Sequence, residues 1–432
     1  MKGLPNWFIP LWCIAMPVTS LLIVPSVQGT IPAYMLAFVS AFFVLTSRGD
    51  ETSRAQRRRY ITVALVVAAI WLVLLCGSQI GNLISNRHDF GDMFLINPDD
   101  TKVVLRSSLF TQTIYLAACL CIALFFRFCF RPEWMRYVLW GGWFLAIYGI
   151  YEWLFFLVFQ QPGDFIANRT YGAEEHTGSW SQGMQVGPLM LLRMKSTFGE
   201  PSWFSAGVIP YLFLALENKR KWLSTALLFC VVLSMSTSAY VGFPVALFLQ
   251  SLFRRKISTP IIVVVVLFVT AFTTLYFIYP ETYNQMFTAK MSGENDSGQV
   301  RQDAGQAMRE TMDTFGLMNR VFGIGFGYYY GGVFYSVLVN TGLIGMLVYL
   351  YAFLKPVFCL RAEEGNIALK VGLGTIFFLF WASVSELFLP TTWMFLGLAY
   401  WRLDQQKQSN RLGSTTRIGL PAQGRLAHAG EV

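Results

Sequence analysis

The stretch R-M-K-S-T-F-G-E-P-S-W-F-S, Arg193–Ser205, places two cations and a carboxylate directly before a block of apolar residues. Charged side chains at such a boundary either snorkel to water or carry out chemistry. Arg193 suits phosphate, because a planar guanidinium donates two parallel hydrogen bonds and keeps its charge. Lys195 offers a second cation. Glu200 offers a carboxylate, either as a helix-start cap or as a proton acceptor. The same connection supplies Arg169, Glu174, Glu175 and His176, the last a second candidate base. Farther along, Arg301 and Arg309 sit in a segment where Val300, Ala304, Met308, Met312 and Phe315 recur at near-helical spacing. That pattern predicts an amphipathic helix on a membrane surface or over a cavity, with both arginines on its polar side. Asp313 stands four residues after Arg309 and is its expected ion partner, whereas no acid stands three or four residues after Arg301. Glu152 falls inside an apolar block, where a carboxylate is either a ligand or the partner of a cation on a neighbouring helix.

The elements that position these residues follow from composition. The chain has 432 residues, of which 55% are hydrophobic and only 13% charged. A soluble domain holds about a quarter charged residues. Apolar blocks fall near 7–25, 31–46, 60–84, 107–128, 137–160, 202–217, 222–236, 239–253, 260–279, 333–354, 367–388 and 391–402. Each is read as a span, which predicts an all-α polytopic integral membrane protein of about twelve transmembrane helices. Residues 1–402 then form one transmembrane domain, and the basic, polar segment 403–432 reads as a disordered tail. Met1–Pro5 carries a single Lys and no small-residue cleavage site follows, so no cleaved signal is expected.

Twenty-three of the 33 Lys and Arg residues fall in alternate connections and at the two ends, which the positive-inside rule assigns to the cytoplasm. The other ten lie in three opposite-facing loops, about 85–106, 161–201 and 281–332. The net charge of +9 is thus a topology signal that requires no nucleic-acid partner. None of the seven Cys lies in those loops, so no disulfide framework is implied. The first loop carries His88, Asp89, Asp92, Asp99 and Asp100. These are metal-binding types at no recognised ligand spacing, and an acidic solvated loop with Asn-Pro-Asp turn chemistry is the simpler expectation. Gly323, Gly325 and Gly327 follow no strand and open no βαβ unit, so they are not a dinucleotide fingerprint. They suit a turn at which backbone comes close to a ligand or re-enters the membrane.

Cations and carboxylates on one face, with no nucleotide loop, fit a substrate that has a lipid tail among the spans and a phosphate head against the loops. Transfer of a sugar from a lipid diphosphate needs stabilisation of the departing diphosphate and a base for a hydroxyl proton. Arg193, Lys195 and Arg301 suit the first task, and Glu200 or His176 the second.

The segment S-T-F-G-E-P-S-W-F-S-A-G-V-I-P (196–210), with Arg301, V-F-G-I-G-F-G (321–327) and V-L-V-N-T-G-L-I-G (337–345), resembles the O-antigen polymerase/O-antigen ligase family. The resemblance covers roughly residues 137–355. It implies a GT-C-like fold whose two large periplasmic loops carry short amphipathic helices. The implied activity is a metal-independent inverting glycosyltransferase without a cofactor, acting on undecaprenyl-diphosphate-linked oligosaccharides. Its place would be the periplasmic face of the bacterial inner membrane, with both termini cytoplasmic. The resemblance assigns Arg193 and Arg301 to diphosphate or acceptor binding; Lys195, Arg169, Arg309 and Glu152 are further candidate substrate contacts on their charge and placement, and a chain-length regulator is a conceivable partner. Ligases of the family often carry a His near the start of the span after the second large loop. Here that region reads G-G-V-F-Y-S-V-L-V, which favours a polymerase over a ligase. A flippase for the same lipid-linked glycans is the rival from another class; it would place charges along a pathway open to both faces.

Overall fold

The computed structural model describes residues 4–418 apart from 26, 48–49, 86–88, 92, 171–181, 187–188, 257–261, 263–265, 267–268, 271–272, 275, 289–291 and 293–295. Its helices are α1 (Phe8–Ala15), α2 (Pro32–Thr46), α3 (Glu51–Ile84), α4 (Ser107–Phe128), α5 (Met135–Phe159), α6 (Pro201–Glu217), α7 (Lys221–Leu233), α8 (Thr237–Arg254), α9 (Pro280–Tyr283), α10 (Asp296–Asp313), α11 (Leu317–Phe322), α12 (Val333–Cys359), α13 (Ile367–Ala382) and α14 (Pro390–Ile418). A single antiparallel hairpin pairs β1 (Gly183–Val186) with β2 (Leu189–Leu192), Gly183 opposite Leu192.

Among the described residues, four helical stretches are long and apolar enough to cross a membrane: α3, α4, Pro132–Phe159 and α12. Helices α2, α7 and α13 are apolar but shorter. Several expected spans take another form. The block at 7–25 is helical only over the eight residues of α1. Pro17 disfavours helix at the residue before it and cannot donate to the turn behind it, and the chain leaves the helix at Met16. The following residues, through Ser20, are buried, and the Thr19 and Ser20 amides donate to Thr197 O at 3.0 and 3.1 Å. Non-helical backbone at membrane depth is tolerated when protein covers it in this way. The block at 367–388 also breaks: α13 ends at Ala382, and the chain runs without helix to Pro390. Half of 260–279 lies outside the described residues.

The block at 202–217 becomes α6, the central helix, with every residue from Pro201 to Ala215 buried. It packs against α7, α8 and α13. A helix apolar on all sides belongs in the interior of a helical assembly.

The expected short helices in the loops are half corrected. The third loop does form a helix, α10, with Met308 on it and Phe315 just past its end buried beside Phe90, Met93 and Tyr328. Arg309 is exposed on it, and among the described residues the expected Arg309–Asp313 ion pair is not formed. The second loop instead holds the β1–β2 hairpin. Gly187-Pro188 divides its apolar run into pieces too short to nucleate a helix. The tail read as disordered from 403 continues as helix to Ile418. Asp404 meets Arg127 Nε at 2.8 Å and Asn410 accepts from Arg361 at 2.8 Å, which ties this extension to the bundle.

The first loop is ordered by its own polar groups. Asp100 accepts from the Ser107 amide at 2.7 Å and its hydroxyl at 2.9 Å, at the start of α4. Those bonds, with a third from the Lys102 amide, hold its carboxyl down at about 2. Arg106 is buried beneath it, donating to Lys102 O and Asn97 O. Among the described residues, no group of three or more acidic, His or Cys side chains is arranged to hold a metal; His88 and Asp92 lie outside the described residues.

Candidate functional site

The chain break around 383–389, the hairpin, the start of α6 and the Gly-rich turn before α12 all border one cavity of about 1650 Å³. That exceeds the roughly 300–1,000 Å³ of ordinary small-molecule sites. One part of its wall is apolar helix surface, including Phe38 of α2, Ile70 of α3, Leu120 of α4 and Val348 of α12. Another part is polar and, among the described residues, carries four charged side chains: Arg169, Arg193, Glu200 and Glu386.

Arg193 reaches the cavity because the hairpin delivers it. Its amide donates to Gln182 O at 2.9 Å, extending the β1–β2 ladder by one rung. Its side chain donates from Nε to Met235 O at 3.1 Å and from a terminal nitrogen to Gln182 Oε1. Arg169 is anchored from the other side, to Gln28 Oε1 at 3.0 Å and Thr19 O at 3.2 Å. Its guanidinium lies 3.9 Å from Glu386 Oε2. Glu200 occupies the N-cap position of α6 but makes no side-chain cap; its Oε2 accepts from Ser202 Oγ at 2.9 Å. The choice between cap and cavity group therefore falls on the cavity.

Lys195 and Glu152, expected as substrate contacts, lie away from this cavity in a buried cluster of their own. Both are fully buried. Lys195 Nζ lies 2.9 Å from Glu152 Oε1 and 2.5 Å from Asp164 Oδ2. Asp164 also accepts from Tyr148 Oη at 2.9 Å and from the Ala167 amide at 3.2 Å. The cluster fastens α5, the start of the second loop and the strand leaving β2 to one another. Arg193 is two residues from this fastening. Arg301 lies on α10 with its side chain outside the described residues, and His176 is likewise outside them. Arg309 is exposed on α10 and does not border the cavity.

Glu386 escaped the sequence reading. It sat inside a block taken as a span, between Ser385 and a Leu-Phe-Leu run. The available signal was a carboxylate four residues before Pro390, the same kind of signal that Glu152 gave. Its Oε1 accepts from the Phe388 amide at 2.9 Å. Burial raises its carboxyl above the ordinary range, while Arg169 and the Phe388 N–H oppose that rise. Tyr330, whose hydroxyl is 3.1 Å from Ser385 Oγ, completes this wall, and burial raises its phenol as well.

The Gly-rich motif near the end of the third loop and the motif that follows it in α12 form the floor beside this wall. Gly342 interrupts α12 with φ 64° and ψ −166°, and Gly323 has φ 79°. A Cβ on Gly323 would lie 2.4 Å from Asn340 C and O, and one on Gly342 would lie 2.4 Å from Val321 C and O. The two backbones are thus in direct contact, so the Gly-rich turn packs against helix, with Gly327 reaching the cavity. Asn340 stitches the turn, accepting from the Tyr328 and Tyr329 amides at 3.1 and 2.7 Å and donating to Tyr329 O at 2.9 Å. Asn340→Ala leaves those buried groups unpaired, at about 1–3 kcal/mol for each group left unsatisfied. Thermal melting of the purified protein should show that loss, and Asn340→Asp, which keeps the acceptors, should melt higher than Asn340→Ala.

Comparison with models of protein families, with curated proteins and with solved structures finds no match to this chain.

Proposed function

We infer that the protein is a glycan polymerase that joins lipid-diphosphate-linked oligosaccharide repeat units at the non-cytoplasmic face of a bacterial inner membrane, in a GT-C-like manner. One observation carries this reading: two arginines and two carboxylates border the same large cavity, whose other wall is apolar helix. The apolar wall suits a polyprenyl tail, Arg193 and Arg169 suit the diphosphate, and a carboxylate suits the acceptor's proton. Aromatic side chains on the same cavity, among them Tyr329, Tyr335 and Trp203, offer faces for sugar rings. The resemblance of 196–210 and 321–345 to the O-antigen polymerase/ligase family supports the same reading.

Deletion of the gene tests it. Surface glycan reduced to a single repeat unit supports a polymerase. An unsubstituted acceptor with accumulated long lipid-linked chains points to a ligase. The broken helices around 16–20 and 383–389 favour a second reading, export of the same lipid-linked units, which predicts units trapped on the cytoplasmic side.

Arg193→Ala should lower turnover about 100- to 1,000-fold, the effect of removing one preorganised donor to a developing anion, while the protein still reaches the membrane. Arg193→Lys restores charge without the bidentate fork and should recover only part of the rate. Gel analysis of glycan length with a membrane blot checks both. Long chains from Arg193→Ala would remove Arg193 from the diphosphate site.

A further inference from the structure

Among the described residues two carboxylates border the cavity, and the transfer requires one to take a proton. We propose that Glu386, in the non-helical link between α13 and α14, is the base that receives the acceptor hydroxyl's proton. This rests on the polymerase reading above.

Geometry separates the two acids. Glu200 stands at the N-terminus of the 17-residue α6 and accepts a hydrogen bond from Ser202 at 2.9 Å. That bond takes up its Oε2 with a hydroxyl of its own helix. Glu386 belongs to no helix, and its two oxygens are differently engaged. Oε1 is held by the Phe388 amide at 2.9 Å, which fixes the carboxyl plane. Oε2 is 3.9 Å from the Arg169 guanidinium, beyond hydrogen-bond reach, so the ion pair orients it without occupying the lone pair a hydroxyl needs. The carboxyl is mostly enclosed, with 16% of its side chain exposed, and a poorly solvated carboxylate is the stronger base.

The step balances as a single displacement. The acceptor O–H bond breaks and its proton goes to Glu386 Oε2. The hydroxyl oxygen forms the new bond to the donor's anomeric carbon. The bond from that carbon to the diphosphate oxygen breaks, and its electron pair leaves with the diphosphate. Neutralising Glu386 leaves the positive charge of Arg169 less compensated at the moment the diphosphate gains charge. Proton uptake and leaving-group stabilisation are therefore coupled through one ion pair.

The titratable and charged groups around Glu386 are Arg169 from the second loop, Glu200 at the start of α6, Tyr330 before α12, Tyr34 of α2, and Tyr115 and Cys119 of α4. Because burial and Glu200 both favour the protonated form of Glu386, turnover should rise with pH through a limb above the ordinary carboxylate range. Glu200→Gln removes a negative charge and should move that limb to lower pH.

The test uses the full chain in liposomes, with the lipid-diphosphate-linked repeat unit extracted from the deletion strain as probe. Glu386→Gln is expected to lower turnover about 100-fold or more while KM for the probe changes only a few-fold, and Glu386→Asp to restore part of the turnover. Elongation by Glu386→Gln near the wild-type rate overturns the assignment, as does a variant whose KM rises while turnover holds. If Glu386→Gln does not reach the membrane, the wild-type pH profile decides: an acid limb within the ordinary carboxylate range overturns the assignment. Absence of elongation by the wild type overturns the polymerase reading itself, and the base assignment with it.

Discussion

Replacing Lys195 with Met is expected to destabilise the protein by about 3–5 kcal/mol, the penalty for leaving buried charge without its partner. Lys195, Glu152 and Asp164 are all enclosed, with side-chain exposures of 0%, 0% and 3%. Met matches the length of the Lys stem, so the substitution tests charge more than volume. Two carboxylates would then face one another across a site that water does not reach. The deficit should appear as a lower melting temperature in detergent and a reduced yield of membrane-inserted protein. A triple variant, Glu152→Gln with Asp164→Asn and Lys195→Met, removes the charges together and should regain much of the loss, since neutral replacement of a whole buried ion cluster costs little. A Lys195→Met protein that melts like the wild type would show that the cluster does not fasten the loop. Because Arg193 leaves the hairpin two residues earlier, the single variant should also lose the polymerisation proposed above when grown at a temperature it tolerates.

Gly342→Ala is the second large effect. The added Cβ would lie 2.4 Å from the Val321 carbonyl and 2.5 Å from the Gly323 amide nitrogen. These are backbone atoms, which cannot rotate aside as a side chain can. The conformation at φ 64°, ψ −166° is one that residues with a Cβ rarely adopt. Strain and overpacking together predict a loss of roughly 2–6 kcal/mol. Gly323→Ala presses on the same contact from the other side, so the double variant should lose less than the two singles combined. Gly305→Ala is the stability control: nothing lies within 4 Å of its Cβ and it sits inside α10, where Ala gains about 0.5–1 kcal/mol over Gly. Melting temperatures of the four proteins decide the matter; a Gly342→Ala variant as stable as the wild type would contradict the backbone contact.

The sequence was informative wherever a residue's type alone restricts what it can do. The long apolar stretches of α3, α4, α5 and α12 are visible because a bilayer demands length and hydropathy in one continuous run. Arg193 and Glu200 could be singled out because cations and acids are scarce at such boundaries and the topology rule disfavours cations on that face. The near-helical spacing of Val300, Ala304, Met308, Met312 and Phe315 foretold α10, since periodicity is a local property. The blocks at 7–25 and 367–388 are helical over only part of their length, because hydropathy does not distinguish a buried irregular segment from a helix. Both are equally apolar, and only neighbours such as Thr197 supply the hydrogen bonds that permit the break.

Partnership was decided by tertiary structure alone. Lys195 and Arg193 look alike in sequence, two cations separated by one residue. Residues i and i+2 of a regular strand share a face, but β2 ends at Leu192 and the two side chains part, Lys195 meeting Glu152 and Asp164 while Arg193 borders the cavity. Glu386 and Arg169 stand 217 positions apart, and no spacing rule links them; the meeting of the second loop with the break before α14 does. Residue chemistry can be read locally, whereas the cavity that puts it to use is made of long-range contacts.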